Sequence, residues 1–461
     1  MSSHPMFKTC VAHFRPAVPS RGRAQVWRQA TFHGRGARYQ SARQFASHSV
    51  KVNGQRLWDS IHHTAQWGDS QDGGVKRLTL TDEDQKVRSW FTETLTAVGC
   101  KVKVDQVGNM FAVRPGANMA LPPIAMGSHL DTQPAGGKFD GILGVLGGVE
   151  VIRVLHENNV VTQAPIAVVN WTNEEGARFN SGMLGSSVWG GMIDLDEAYS
   201  IQDVEGTTFR AALERIGYLG SEGASHKNNP LAAHFELHIE QGPVLEDTNK
   251  TLGVVNGVQA MGWTYVTVHG HSQHCGTTPM DRRNDALLAA TKMIPQINVM
   301  ARETEGMSTV GVFNSEPSSP GTVPGKVRFS VDLEHLDNDA RDLMVKRTKE
   351  ICAEVAEQEG CQVTFEDTWV SRGVRFNPLC VETVTEVAEE LVGKDGFVTL
   401  PAGAGHDSVN TSHHCPTSMI FVPSKGGISH HPSEWSTQEH CTLGVEALLR
   451  TVLKFDKKIS R

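Results

Sequence analysis

The sequence predicts an α/β protein whose mixed, largely parallel sheet is interrupted by a smaller inserted α+β unit. Three observations point there. From Leu80 to about residue 250, apolar strand-like runs alternate with helical periodicities, which is the grammar of an α/β layer. From about Thr251 the order changes to strands with period-two alternation interleaved with two long helices, the pattern of a compact α+β unit. After about Arg372 the first style returns. At 461 residues the chain is too long for one simple core, and two or three domains are expected. The expected division is 1–48 as a basic leader, 49–250 as the first part of the main unit, 251–371 as the insertion, and 372–461 as the second part.

Each element follows from local chemistry. Thr81 can cap a helix in which Val87, Trp90, Phe91, Leu95 and Val98 recur at helical spacing, and Gly99 closes it. Short strands are expected around 101–105 and 109–114. "PPIAMGSHL" reads as an apolar strand delivering His129, "GILGVLGGVEVIRVLHEN" as a glycine-rich helix that can pack closely on a sheet, and "APIAVVNWT" as a buried strand. In the insertion, "WTYVTVHG", "STVGVF", "KVRFSVDLEH" and "CQVTFEDTWV" read as strands. The segments from Asp281 to Gly306 and from Asp339 to Gly360 read as its helices. A helix from Cys380 to Gly393, the strand "TSMIFVPS" and a helix after Thr437 complete the chain.

Composition narrows the function classes. The first 48 residues hold eight Lys or Arg and no Asp or Glu, and this Arg-rich, acid-free composition is that of a mitochondrial transit segment. A basic tail of another kind is the alternative. Without those eight cations the formal charge falls from −8 to −16, and so acidic a body argues against nucleic-acid binding. No apolar run approaches the ~20 residues of a membrane helix, so no membrane insertion is expected. The eight cysteines are scattered without a C-x-x-C pair, which fits free thiols and offers no cysteine-based zinc site.

"VVNWTNEEGARF", Val168 to Phe179, runs an apolar strand into two adjacent carboxylates, Glu174 and Glu175. Alone, such a pair reads as a solvated turn. Four other segments also end strand-like or turn-like runs with metal-type side chains: "GSHLDT" (His129, Asp131), "GGKFDG" (Asp140), "ELHIEQGP" (His238, Gln241) and "GISHHPSE" (His430). Each has an ordinary structural reading by itself. Together they are harder to dismiss, because the carboxyl ends of parallel strands are where an α/β sheet builds a site. Residues i and i+2 of a strand face one way, so the Asp131 side chain is expected to accept from the far nitrogen of His129 and fix its tautomer. Asp140 could bridge two cations with its two oxygens.

With "GSHLDTQPAGGKFDG", "TNEEGARF", "ELHIEQGPVLE", "HCGTTPMDRRNDA", "AGAGHDS" and "GISHHPSE" in that order, the chain resembles the peptidase M20 metallohydrolases. Within them it resembles the hydantoinase/carbamoylase amidases, which include N-carbamoyl-amino-acid amidohydrolases, fungal-type β-ureidopropionase and allantoate amidohydrolase. The resemblance covers roughly Leu57 to the C-terminus. It implies a zinc-exopeptidase-like catalytic domain with an inserted lid and dimerisation domain, a homodimer, and a small-molecule substrate cleaved at a linear amide or ureido C–N bond. It further implies two divalent metals, one held by His129, Asp140 and His238 and the other by Asp140, Glu175 and His430. His238, where many M20 peptidases carry a carboxylate, marks the amidase branch. Glu174 is then the general base for a metal-activated water, with Asp131 supporting His129. His274 is expected to reach the partner subunit's site and stabilise an oxyanion, and Gln241 and His406 are expected to contact substrate. Three imidazoles and two carboxylates suit Zn²⁺ first, and also Mn²⁺, Co²⁺ or Ni²⁺.

One departure concerns substrate. Gly321 and Glu334 occupy positions where the family usually carries an Asn and a carboxylate-clamping Arg, and exchanging a planar bidentate cation for an anion is not conservative. Either Arg328 or Arg375 takes over the clamp, or the substrate presents a neutral or cationic group there. Two further readings stay open: an M20 exopeptidase or aminoacylase, and a catalytically silent binding subunit.

Overall fold

The computed structural model describes residues 50–460, so the basic segment expected to be a transit peptide lies outside the described residues. Along the chain the first strands are β1 (Lys101–Val104), β2 (Met110–Arg114), β3 (Ile124–His129), β4 (Ile166–Trp171), β5 (Ala233–Ile239) and β6 (Leu252–Val258). Next come β7 (Ala260–His269), β8 (Gln273–His274), β9 (Met307–Thr309), β10 (Phe313–Glu316), β11 (Thr322–Val323), β12 (Lys326–His335) and β13 (Gln362–Ser371). The last are β14 (Val374–Arg375), β15 (Phe397–Ala402) and β16 (Thr417–Val422).

Among the described residues a nine-stranded sheet runs β1-β2-β4-β3-β5-β16-β6-β14, with β15 also on β6. Its centre, β4-β3-β5-β16, is parallel, while β2 on one side and β6 on the other join it antiparallel, with β1 and β14 pairing antiparallel to them at the edges. Both faces are covered, which explains why these strands read as continuous apolar runs. Successive residues alternate sides: Met126, Ile166 and Val168 join the core beneath helices Ile142–Glu157 and Gln438–Ile459, while Ala125, Ala167, Val169 and Trp171 pack with Trp189 on the other face. The glycine-rich helix earns its closeness to the sheet at Gly144, where an added Cβ would stand 2.5 Å from the Leu237 carbonyl oxygen.

A second, antiparallel sheet runs β10-β12-β7-β13, with β9 also on β12. Val266, Val268, Val327, Phe329, Val331 and Leu333 pack beneath helices Ala286–Glu303 and Asn338–Gln358. β6, expected within the insertion, pairs in the large sheet, and the second sheet begins at Ala260. "STVGVF" divides between β9 and β10, since Val310 to Val312 pair with neither neighbour register. The helix expected from Asp281 begins at Ala286, because the Asp285 side chain accepts from the backbone N–H groups of Leu287 and Leu288 and acts as the cap. The helix capped by Thr81 spans Asp82–Ala97. The described cysteines are free thiols, and among the described residues no helix is long and apolar enough to cross a membrane.

Candidate active site

Three parallel strands deliver their residues to one end of the large sheet. His129 closes β3, His238 is the last residue but one of β5, and β4 runs into the turn holding Glu174 and Glu175. Asn173 has φ +58°, a left-handed conformation that non-glycine residues adopt at a cost. Its side chain donates to the carbonyls of Phe179 and Ser181 at 3.0 and 2.9 Å, which holds the bend. The bend is why two adjacent glutamates enter one cavity. Gln241 and His430 also have positive φ, +60° and +54°, so backbone strain concentrates around this site.

Asp140 lies at the centre. Its Oδ1 stands 3.6 Å from His129 Nε2 and 3.2 Å from His238 Nε2, and its Oδ2 stands 3.2 Å from His430 Nε2. His430 Nε2 is 3.4 Å from Glu175 Oε2. These are two triads sharing one carboxylate, His129–Asp140–His238 and Asp140–Glu175–His430, each with ligand atoms within 4.8 Å of one another. A tetrahedral ion with bonds of about 2.0–2.1 Å holds its ligand atoms about 3.3–3.4 Å apart, so these spacings fit divalent ions. The ring tautomers fit as well: Nδ1 of His129 and of His238 face the carbonyls of Asp131 and Ile239 at 2.9 and 2.8 Å, leaving Nε2 toward the centre. Gly141, next to Asp140, has φ +70°, and any Cβ there would stand 2.3 Å from the His129 ring.

The expected bond from the Asp131 side chain to His129 is not what forms. Asp131 Oδ1 lies 4.0 Å from Nδ1, and the Asp131 backbone carbonyl takes that proton. The carboxylate accepts instead from the backbone N–H groups of Glu174 and Glu175 at 3.4 and 3.3 Å, securing the turn. β3 ends at His129, so the i, i+2 rule of a strand no longer applies at Asp131.

Electrostatics favour cations here. Asp131, Asp140, Glu174, Glu236 and Asp407 are all buried. Burial, reinforced by Asp407, Glu175 and Asp140 and opposed by His129, pushes Glu174 well above the usual carboxylate range. Burial and the Asp140 charge push Glu175 up to about 7. Asp140 moves the other way: burial would raise it, but hydrogen bonds from three imidazoles hold it well below its ordinary value. Burial with the neighbouring His238 lowers His406 to about 3, so its ring is neutral.

The cavity has a volume of about 370 Å³ and is bounded by His129, Glu174, Gln241, His406 and His430 on the large-sheet side. Trp263, Asp332, Glu334 and Trp369 close it from the second sheet. His406 Nε2 and Gln241 Oε1 are buried without a hydrogen-bond partner in the protein, as groups awaiting a ligand are. The Gln241 amide donates to Asp140 Oδ2 at 3.0 Å. His274 and Gly321 are not among the residues around this cavity. They lie side by side and exposed where β8 pairs with β11, and Cys275 N–H donates to the Gly321 carbonyl at 3.2 Å.

Several supporting residues were not singled out from sequence. Glu434, inside the quoted "GISHHPSE", accepts from the backbone N–H groups of Phe139 and Asp140 at 3.0 and 3.1 Å and from Ser429 Oγ at 2.9 Å. Gln133 donates to Glu175 Oε2 at 2.8 Å and sits just beyond the "HLD" run that did attract notice. Glu236, two residues before His238, forms a further cluster with His238 and His406 and accepts from Ser128 and Ser408 at 2.7 and 2.6 Å.

Comparison with known proteins gives a consistent result. Residues 125–454 match peptidase family M20/M25/M40. The chain is 40% identical over 408 residues to an N-carbamoyl-L-amino-acid amidohydrolase of Rhizobium meliloti, covering 88% of this chain and 97% of that protein. It is 30% identical over 403 residues to an allantoate amidohydrolase of Bacillus subtilis, covering 86% and 97% respectively. A crystal structure of a hydantoinase/carbamoylase family amidase from Burkholderia vietnamiensis superposes with a TM-score of 0.83 at 40% identity, covering 88% of this chain and 98% of that one.

Proposed function

The chain belongs to peptidase family M20/M25/M40, in its hydantoinase/carbamoylase amidase branch, and from that premise we propose a dinuclear metal-dependent amidohydrolase acting on a carbamoyl, ureido or acyl derivative of an amino compound. The observation that carries this reading is Asp140, whose two oxygens each face a different set of imidazole and carboxylate ligands. His129, Asp140 and His238 would hold one divalent ion, and Asp140, Glu175 and His430 the other. The all-N,O donor set suits Zn²⁺, Mn²⁺, Co²⁺ or Ni²⁺. When bound, such ions supply Lewis acidity toward a carbonyl oxygen and lower the pKa of water toward ~7.

The chain's own residues do the rest. Glu174, buried and 3.5 Å from His129 Nε2, is positioned to take a proton from the attacking water and return it to the leaving nitrogen. Burial raises its pKa, which favours the protonated form it needs for that return. Gln241 and His406 present unpaired polar atoms toward substrate. His274 and Gly321, lying outside the chain's own cavity, support a homodimer in which each subunit completes the other's site. The exopeptidase reading is less favoured, because the relatives that match over most of the chain include linear amidases.

Metal analysis tests the proposal directly. Purified protein should carry close to two divalent ions per chain, and chelation should abolish ammonia release from ureido compounds until metal is restored. Full turnover by metal-free protein would refute the mechanism.

A further inference from the structure

The second sheet's contribution to the cavity has its own chemistry. Asp332 and Glu334 are residues i and i+2 of β12, so both face the same way, opposite the Val331 and Leu333 side that packs on the helices. Register sets the neighbours: Asp332 pairs with Trp263 on β7, and Trp263 pairs with Trp369 on β13. One rung across three strands therefore presents a carboxylate and two indoles, with Glu334 one step along. The indole centroids are 4.7 Å apart with planes inclined at 37°, forming a corner rather than a closed stack. Asp332 Oδ1 is buried and accepts no hydrogen bond from the protein, while Glu334 Oε2 accepts from Gln259 Nε2 at 2.5 Å.

Among the described residues, no lysine or arginine lines the cavity. Arg328 is committed elsewhere, lying 3.6 Å over the Tyr265 ring and 3.0 Å from Glu366, and Arg375 lines a separate surface hollow. Among the described residues of this chain, the second-sheet side of the cavity therefore offers no guanidinium or ammonium to clamp a carboxylate. Burial and the neighbouring Asp332 push Glu334 up to about 8, and an organic cation set against the two acids would offset that repulsion. Carboxylates beside indole faces are the usual surroundings of a bound ammonium or guanidinium group.

We propose that Asp332, Glu334, Trp263 and Trp369 receive a positively charged group of the substrate, making the preferred substrate a carbamoyl or ureido compound that ends in an organic cation and not in a carboxylate. This rests on the amidohydrolase reading above. The test uses metal-loaded protein and three matched compounds, ureidobutylamine, ureidobutanol and ureidobutyrate, with kcat/KM for each. The amine should exceed the acid by about tenfold or more, with the alcohol between them, and Glu334→Gln should erase the difference. Trp263→Phe should weaken the amine selectively. Best turnover of the acid, or a ratio unmoved by Glu334→Gln, overturns the proposal.

If none of the three is hydrolysed, the amidohydrolase reading fails for ureido compounds while the cation wall is still decided by binding. Indole fluorescence titrations with n-butylammonium and n-butyrate should then show the ammonium binding about tenfold tighter, and Glu334→Gln should remove that advantage. Equal or inverted affinities reject the wall.

Discussion

Glu174 and Glu175 differ by one peptide unit and by their partners. Glu175 faces His430 at 3.4 Å and accepts from Gln133, whereas Glu174 faces His129 at 3.5 Å across the open cavity. A variant series should separate them. Glu174→Gln keeps the shape and both metals but removes the proton carrier, so kcat should fall about 10²–10⁴-fold with the ion content unchanged. Glu175→Ala should instead lose one ion per chain. Elemental analysis beside steady-state kinetics distinguishes the two, and equal metal loss in both variants would show the roles are misassigned. These residues were legible because carboxylates and imidazoles at strand ends are conspicuous in sequence. Trp263, Asp332 and Trp369 were not, since each is ordinary in its own strand and only the register of β12, β7 and β13 brings them together.

Elements position what residues ligate. The loop carrying His430 is tied to the start of helix Ile142–Glu157 through Glu434, which takes the N–H groups of Phe139 and Asp140. Burial and the nearby Asp140 push Glu434 up to about 7, while the two N–H donors and Ser429 favour its charged form. Removing it in Glu434→Ala leaves two buried N–H groups unpaired, at about 1–3 kcal/mol each, and frees Asp140 to drift. Metal affinity should fall about 10–100-fold, as for other residues that orient ligands, with a smaller effect on kcat at saturating metal. Metal titration of the apo-protein followed by kinetics measures the split, and an unchanged affinity would mean Asp140 is held by its helix alone. Sequence reading recovered β1 to β4, β7, β12, β13, β16 and the long helices, whose periodicity is local, but it did not read β6 or β15 as strands. It misplaced the start of helix Ala286–Glu303, where the Asp285 cap outweighed the apparent run, and it divided β6 wrongly from the sheet it joins, because strand partners are set by tertiary pairing.

At the scale of the whole molecule, the chain's own cavity lacks His274. That residue sits exposed on β8, its Nδ1 accepting from Gly276 N–H at 3.1 Å, beside Gly321 and outside the cavity wall. In the homodimer proposed above, a histidine that helps an oxyanion from there would serve the other copy of the chain, and two-fold symmetry would make the exchange reciprocal. Complementation tests this. His274→Ala homodimers and Glu174→Gln homodimers should each be impaired, the first in oxyanion stabilisation and the second in proton transfer. After equal amounts are mixed and subunits exchange at random, about half the dimers are mixed, and one of the two sites in each pairs an intact Glu174 with the neighbour's intact His274. About a quarter of all sites should therefore recover, seen as activity rising with the time course of exchange. If His274 served its own subunit, every site in the mixture would lack one of the two groups and no recovery could occur. Exchange confirmed by mass-tagged subunits without any gain in turnover would mean that His274 serves its own subunit or takes no part in the reaction.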